Sequence, residues 1–173
     1  MKNENQLQVQ EKKPVSVPGE NDLVTVPASS EIASYFKGAS MLQLSKQESD
    51  ALSAPFDDEL IEIRPDGFIY LPQTFYRQRL NQSVGIGQWA LVPKGSYQNN
   101  GKLFLNGILV IRGNFVAEST GEASIIEENA NQSLATVWES AKSDCITRCC
   151  KDLSMATQVY QPSYMREWQS KNA

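Results

Sequence analysis

Hydrophobic positions fall into a regular pattern only from about residue 60 onward. Two short apolar runs, 60–63 and 68–71, flank Pro65-Asp66-Gly67. In such a turn the proline presets φ and the glycine accepts a positive φ. The two runs are therefore predicted to pair as a short β-hairpin.

A helix is predicted directly after the hairpin. Tyr76, Leu80 and Val84 recur every fourth residue between Pro72, which suits a first helical turn, and Gly85, which suits a helix end. This spacing places the three side chains on one stripe of the helix surface. That stripe is expected to face the protein core.

A sheet is predicted next. Residues 88–92 form its first strand, ended by Pro93, and residues 102–118 form a long strand with one apolar face. Gly107 and Gly113 are interpreted as bulges or bends in that strand. The segment 119–121, Ser-Thr-Gly, is predicted to turn the chain, and residues 123–126 to return as a third strand.

The last long element is predicted to be a helix over residues 131–156. Its apolar residues are spaced by 4, 3, 4 and 4 positions: Leu134, Trp138, Ala141, Cys145 and Cys149. The order β-β, α, β-β-β, α predicts an α+β fold. Its antiparallel sheet has a long C-terminal helix packed on one face.

Three segments divide the chain. Residues 1–27 are polar, acidic and interrupted by prolines, and are predicted to be a disordered tail. Residues 28–59 form a transitional segment that could serve oligomerisation, where Ser45 and Glu48 resemble a capping box. Residues 60–173 form the main domain. The tail lacks the apolar region of a secretory signal and the arginines of a transit peptide, so a cytoplasmic location is expected.

Composition excludes several classes of enzyme. The 173 residues contain no histidine, which excludes triads, Cys–His pairs and histidine-bound metals. Neither a phosphate-binding loop nor an apolar run of membrane-spanning length, about 18 residues, is present. No catalytic residue, metal, cofactor or membrane partner is predicted.

The three cysteines, Cys145, Cys149 and Cys150, lie together on the last predicted helix. They could touch a soft metal, although two thiolates alone leave a zinc ion incompletely ligated. They could also form part of a small thiol enzyme, although no histidine is present to act as the base. Their place on the apolar stripe favours small buried hydrophobic residues.

Charge is distributed unevenly along the chain. The net charge is −4, but residues 1–59 carry 5 Lys and 10 acidic residues, whereas all the arginines lie beyond them. If the folded elements face one groove, their cations form a track for a phosphate backbone. The alternative is a solvated face on which Asp144 and Arg148 pair along a helix. The candidate DNA-binding residues are Arg77, Arg79, Lys94, Lys102, Arg112, Arg148 and Lys151.

Two sequence blocks resemble a known family. The block 61–72, continued by Tyr76-Arg77, Leu80-Asn81, Gly85 and Trp89, and the block 142–153 with Arg-Cys-Cys-Lys-Asp-Leu at its end, are similar to the mitochondrial genome maintenance proteins. These proteins are a branch of the Rad-fifty-two-type single-strand annealing superfamily. The resemblance extends from Ser45 to Trp168.

The resemblance implies a β-β-β-α core that assembles into rings or filaments. It also implies ATP-independent binding of single-stranded DNA and annealing of complementary strands. In the wider superfamily a basic cluster on the long helix grips the DNA backbone, and Arg148 and Lys151 match that cluster. Thr147 stands where the eukaryotic nuclear members carry a lysine. The missing targeting segment suggests a bacterial or phage relative.

The sequence therefore predicts a homo-oligomeric strand-annealing protein that acts in recombination or repair. Its expected partners are single-stranded DNA, the complementary strand, further copies of itself and, as an additional candidate, a single-strand-binding protein. Its expected location is the cytoplasm of a bacterial or phage-infected cell, in preference to a mitochondrial nucleoid. The alternative is a non-catalytic oligomeric scaffold that binds protein.

Overall fold

The computed structural model describes residues 38–64, 66–126 and 132–172. The predicted tail, 1–27, lies outside these ranges, as do residues 28–37 of the transitional segment. Short 3-10 turns occupy Asp58–Leu60 and Thr157–Tyr160. The remaining elements are α1 (Lys46–Ser53), β1 (Glu62–Ile63), β2 (Ile69–Tyr70), α2 (Gln73–Val84), β3 (Trp89–Asn99), β4 (Lys102–Ile111), β5 (Asn114–Ser124), α3 (Leu134–Lys151) and α4 (Pro162–Asn172).

The predicted hairpin, first helix and capping box are confirmed. Strands β1 and β2 pair antiparallel, with Ile63 opposite Ile69. Helix α2 begins after Pro72 and ends at Gly85, and its predicted stripe is buried. At the start of α1, the Ser45 hydroxyl accepts the Glu48 N–H while the Glu48 carboxylate accepts the Ser45 N–H.

The main sheet is an antiparallel meander in the order β3-β4-β5. The prediction of one long strand over 102–118 is wrong, because Arg112 and Gly113 turn the chain between β4 and β5. Both residues have positive φ, 50° and 76°, as a two-residue hairpin turn requires. A turn of only two residues hardly interrupts the alternation of apolar and polar positions, so the hydrophobic pattern does not reveal it.

Two further strand boundaries differ from the prediction. Strand β3 continues through Pro93 to Asn99, with a register shift between Pro93 and Gly95. Since β3 lies at the sheet edge, a proline without an N–H is tolerated there. The segment 119–121 is not a turn but part of β5, where Gly121 lies against the backbone of α3.

Helix α3 packs on one face of the sheet, as predicted. The core joins Leu105, Leu109 and Ile111 of β4 with Cys145 and Ile146 of α3. The opposite sheet face carries no helix within the described residues, and the α+β fold with an antiparallel sheet is confirmed.

The ends of α3 lie inside the predicted range of 131–156. The Ser133 hydroxyl caps the first turn by accepting the Thr136 N–H, and Leu134 is 63% exposed rather than buried. The helix ends at Lys151, and Ser154 and Ala156 beyond it have positive φ. Met155 is buried although it lies outside the helix.

Candidate nucleic-acid interface

A groove of about 590 Å³ lies between the β1–β2 hairpin, the start of α2, the second half of α3 and the segment that precedes and begins α4. Its lining combines cations, aromatic rings and small polar groups with one carboxylate. The lining residues are Arg64, Phe68, Ile69, Tyr70, Leu71, Gln73, Ser143, Asp144, Thr147, Arg148, Lys151, Tyr160 and Met165.

Helix α3 supplies two of the groove cations, Arg148 and Lys151, from its last turn. A spacing of three residues places them on neighbouring positions of the helix surface. Arg148 is 46% exposed, and its Nε donates to Asp144 Oδ2 at 2.8 Å. The Lys151 ammonium lies 3.6 Å from the centre of the Tyr160 ring, in cation–π geometry.

Two aromatic rings are exposed at the groove. Phe68 is 55% exposed and follows the hairpin turn, and Tyr160 is 39% exposed. The Tyr160 hydroxyl is hydrogen-bonded to the buried Tyr76 hydroxyl at 3.0 Å. Burial, together with this contact, raises the pKa of Tyr76 above its ordinary value. Exposed rings beside cations provide the surfaces on which single-stranded bases stack.

Arg64 of the hairpin is the third groove cation, and sequence reasoning missed it together with Phe68 and Tyr160. It is largely exposed and lies 3.6 Å from Asp66, a long and solvated pair. The sequence did contain a signal for Arg64 and Phe68, because this cation and this aromatic residue flank a predicted turn. Loops at such positions often carry binding residues.

Arg79, one of the predicted DNA-binding residues, has a structural role in the fold. Its guanidinium donates to the carbonyl oxygens of Ala51, Ala54 and Pro55 at 2.9, 2.7 and 3.0 Å. It also lies over the Phe75 ring, 4.9 Å from its centre. Arg79 therefore ties the end of α1 to α2 and does not line the groove.

The three predicted cations of the sheet are also outside the groove lining. Lys94 pairs with Glu118 at 2.8 Å, and Lys102 pairs with Glu122 at 3.1 Å. Arg112 pairs with Glu48 of α1. These carboxylates offset the charge that a phosphate track would need.

Arg77 lies next to the groove without lining it. Its Nε donates to the side chain of Gln73, which does line the groove. The structure therefore brings Arg148 and Lys151 together and places Arg77 near them. It does not bring the seven predicted cations into one track.

The three cysteines are free and fully buried, which confirms their interpretation as small core residues. Burial raises the pKa of Cys150 to about 12. A hydrogen bond with Cys145, together with burial, raises the pKa of Cys149 as well. Within the described residues, no group of three His, Cys, Asp or Glu side chains could hold a metal ion.

No described helix is both long enough and apolar enough to cross a lipid bilayer.

Similarity to known proteins is extensive. The sequence model of the family described as Mitochondrial genome maintenance MGM101 matches residues 31–173.

Curated relatives come from several eukaryotes. A Mitochondrial genome maintenance protein mgm101 homolog of Dictyostelium discoideum is 42% identical over 139 residues, which is 80% of this chain and 37% of that protein. Mitochondrial genome maintenance proteins of Schizosaccharomyces pombe and Candida albicans are 37% and 36% identical over 79% of this chain. The chain spans half or less of the length of these three relatives.

These comparisons correct the predicted location and origin. The expectation of a bacterial or phage-infected cytoplasm is wrong, because the relatives are eukaryotic proteins named as mitochondrial. The predicted class of DNA-related maintenance function agrees with the name of the family. With a match over most of its length, the chain belongs to the mitochondrial genome maintenance MGM101 family.

Proposed function

We propose that the chain binds single-stranded DNA in the groove and anneals complementary strands without ATP, as its part in maintaining a genome. The observation that carries the proposal is the placement of Arg64, Arg148 and Lys151 around one groove beside the exposed rings of Phe68 and Tyr160. Maintenance of the mitochondrial genome, for which the relatives are named, requires proteins that handle DNA.

The two walls of the groove suit the two parts of a nucleotide. Cations neutralise phosphates and release the counterions condensed on the strand, which favours binding at low salt. Aromatic faces accept any base by stacking, which gives binding without sequence preference. A groove with both features selects a single strand, because the bases of a duplex are already stacked on each other.

Annealing requires no catalytic residue in this proposal. Neutralised phosphates lower the repulsion between two strands, and the complementary bases then pair by themselves. One protomer offers few cations, so its hold on a strand is modest. Assembly of many protomers into a ring or filament raises the effective concentration of grooves along one strand and keeps it extended.

Assembly of this kind needs two different surfaces that meet head to tail. Both β3 and β5 have an edge with no neighbouring strand in the described part of the chain. The sheet face opposite α3 also exposes Val92 and Tyr97. These features support self-association. A single-strand-binding protein is a further candidate partner.

The second candidate function is an oligomeric scaffold that binds protein. It is favoured by the same sheet face, where Tyr97 and Phe104 stack with ring centres 4.9 Å apart. The cations beside them are paired with Glu118 and Glu122, which makes this face nearly neutral and suited to protein rather than DNA. The two functions differ in whether a single-stranded oligonucleotide binds.

The test is the salt dependence of oligonucleotide binding by an Arg148→Ala, Lys151→Ala double variant. Each cation removed from a phosphate contact lowers the slope of log K against log salt by about 0.7, so the double variant loses about 1.4. The control is Lys46→Ala with Lys171→Ala, since both lysines are exposed, in helical ion pairs, and outside the groove lining.

Equal affinity and slope in the two double variants would contradict the proposed groove. Annealing is measured separately, from the pairing rate of two labelled complementary oligonucleotides with and without protein. Light scattering with a long oligonucleotide reports assembly. Binding without acceleration of pairing would contradict the annealing part of the proposal.

A further inference from the structure

The groove contains one carboxylate, Asp144, among its cations. A negative charge opposes the binding of a phosphate. The inference about Asp144 therefore rests on the proposed function, the binding of DNA in this groove. Asp144 is held in place by two donors rather than one. Its Oδ2 accepts Arg148 Nε at 2.8 Å and the backbone N–H of Glu122 at 2.9 Å.

The bond to Glu122 fixes the carboxylate to strand β5, independently of Arg148. The Asp144 carboxylate is therefore expected to keep its position when DNA binds. The bond uses only the Nε–H of Arg148, so a phosphate that meets the Nη atoms of the guanidinium lies close to this fixed carboxylate. Within the described residues, Asp144 is the only side chain that pairs with Arg148.

The other two groove cations are held differently. Lys151 lies over the Tyr160 ring, a neutral partner. Arg64 lies 3.6 Å from Asp66, and both side chains are at least half exposed, so solvent screens the pair. Arg148 is thus the groove cation whose charge is offset at short range by a carboxylate in the groove lining.

We propose that the fixed negative charge of Asp144 offsets the charge of Arg148 and so weakens the hold of the groove on a single strand. In the free protein the carboxylate accepts the Nε–H of Arg148. In the complex the same carboxylate repels a phosphate bound at the Nη atoms. Annealing benefits, because a strand held less tightly passes more readily into the duplex.

The test compares Asp144→Asn with Glu139→Gln. The asparagine oxygen still accepts the Glu122 N–H, so the first variant removes the charge and retains that bond. Glu139 is the matched control, since it lies on the same helix and pairs with Lys142 at 2.9 Å outside the groove lining. Both variants change the net charge equally.

Binding of a short oligo-dT is measured at several salt concentrations. One more neutralised phosphate steepens the salt slope by about 0.7, which is about fivefold in affinity for each tenfold fall in salt. With the two affinities equal at 1 M salt, Asp144→Asn is therefore expected to bind about fivefold more tightly than wild type at 0.1 M salt. Glu139→Gln is expected to change affinity much less, and Arg148→Ala added to Asp144→Asn should remove the gain.

Affinity of Asp144→Asn equal to that of the control, or below wild type, would overturn the proposal. A weaker variant would show that Asp144 positions Arg148 instead. Should the asparagine variant fail to fold by circular dichroism, Asp144→Ser removes the same charge and answers the same question. If the wild-type protein does not bind the oligonucleotide, the proposed function itself is wrong. If the wild type binds and Asp144→Asn binds no more tightly, only the proposed role of Asp144 is wrong.

Discussion

Replacement of Gly121 by alanine is expected to push β5 and α3 apart. A Cβ at this position would lie 2.1 Å from the Ala141 carbonyl oxygen and 2.3 Å from the Cys145 nitrogen. Both are backbone atoms of α3, so neither can rotate away. The glycine is required for close approach of strand and helix, because its φ lies outside the positive region.

The cost follows from the size of the overlap. A Cβ normally keeps at least about 3.4 Å from such atoms, so the helix must retreat by more than an ångström along part of its length. Overpacking a well-packed core costs about 1–3 kcal/mol and occasionally more, and a backbone clash belongs at the upper end. We expect about 3 kcal/mol, which lowers Tm by about 6–12 °C for a domain of this size.

Urea unfolding of three glycine variants provides the assay. At Gly107 an added Cβ would lie 2.9 Å from the Cys145 sulfur, a side-chain atom, and at Gly95 nothing lies within 4 Å. The expected order of destabilisation is Gly121→Ala, then Gly107→Ala, then Gly95→Ala. A free energy of unfolding for Gly121→Ala within about 0.5 kcal/mol of that for Gly95→Ala would refute the reasoning, since surface substitutions already scatter by that amount.

Two further predictions separate structural cations from DNA-binding ones. Arg79→Ala removes three hydrogen bonds to carbonyl oxygens and should lower the free energy of unfolding in urea by about 1–3 kcal/mol, while leaving the salt slope of oligonucleotide binding unchanged. A reduced salt slope for Arg79→Ala would show that Arg79 contacts DNA. Hydrogen bonds from Arg112 and Ser45 hold the pKa of Glu48 at about 2, below its ordinary 4.5. Because the lowered pKa favours the charged form in the folded state, this contribution is complete above pH 4.5 and is lost as the pH falls toward 2. Urea midpoints should therefore fall more steeply over that range in wild type than in Glu48→Gln, and parallel profiles would contradict the assignment.

Sequence reasoning found the elements whose signals are local. The stripe of α2 and the capping box at Ser45 depend on residues within one or two helical turns. It missed the turn at Arg112-Gly113, because apolar alternation resumes immediately on the other side. It also took Gly121 for a turn residue, since a glycine needed for close packing looks the same in sequence as one needed for positive φ.

The candidate site was predictable only in part for the same reason. Arg148 and Lys151 were identified because both leave the apolar stripe of a single helix. Arg64 lies far before that helix in sequence, and Tyr160 follows it after a non-helical segment, so only tertiary packing brings both to the groove. The carbonyl oxygens at the end of α1 that Arg79 contacts become its neighbours only after folding, so the sequence does not reveal its structural role.

The two walls of the groove are fixed by different parts of the chain. The wall formed by α3 is rigid, because the opposite side of that helix is buried in the core through Cys145 and Cys149. The hairpin wall has only two residues in each strand, and a hairpin this short does not persist alone in water. It is anchored by the buried Ile69 and by a hydrogen bond of 2.9 Å from Gln169 of α4 to the Gly67 carbonyl. The hydrogen bond from Gln169 therefore ties the hairpin wall, which carries Arg64, to α4, a helix that supplies none of the groove cations.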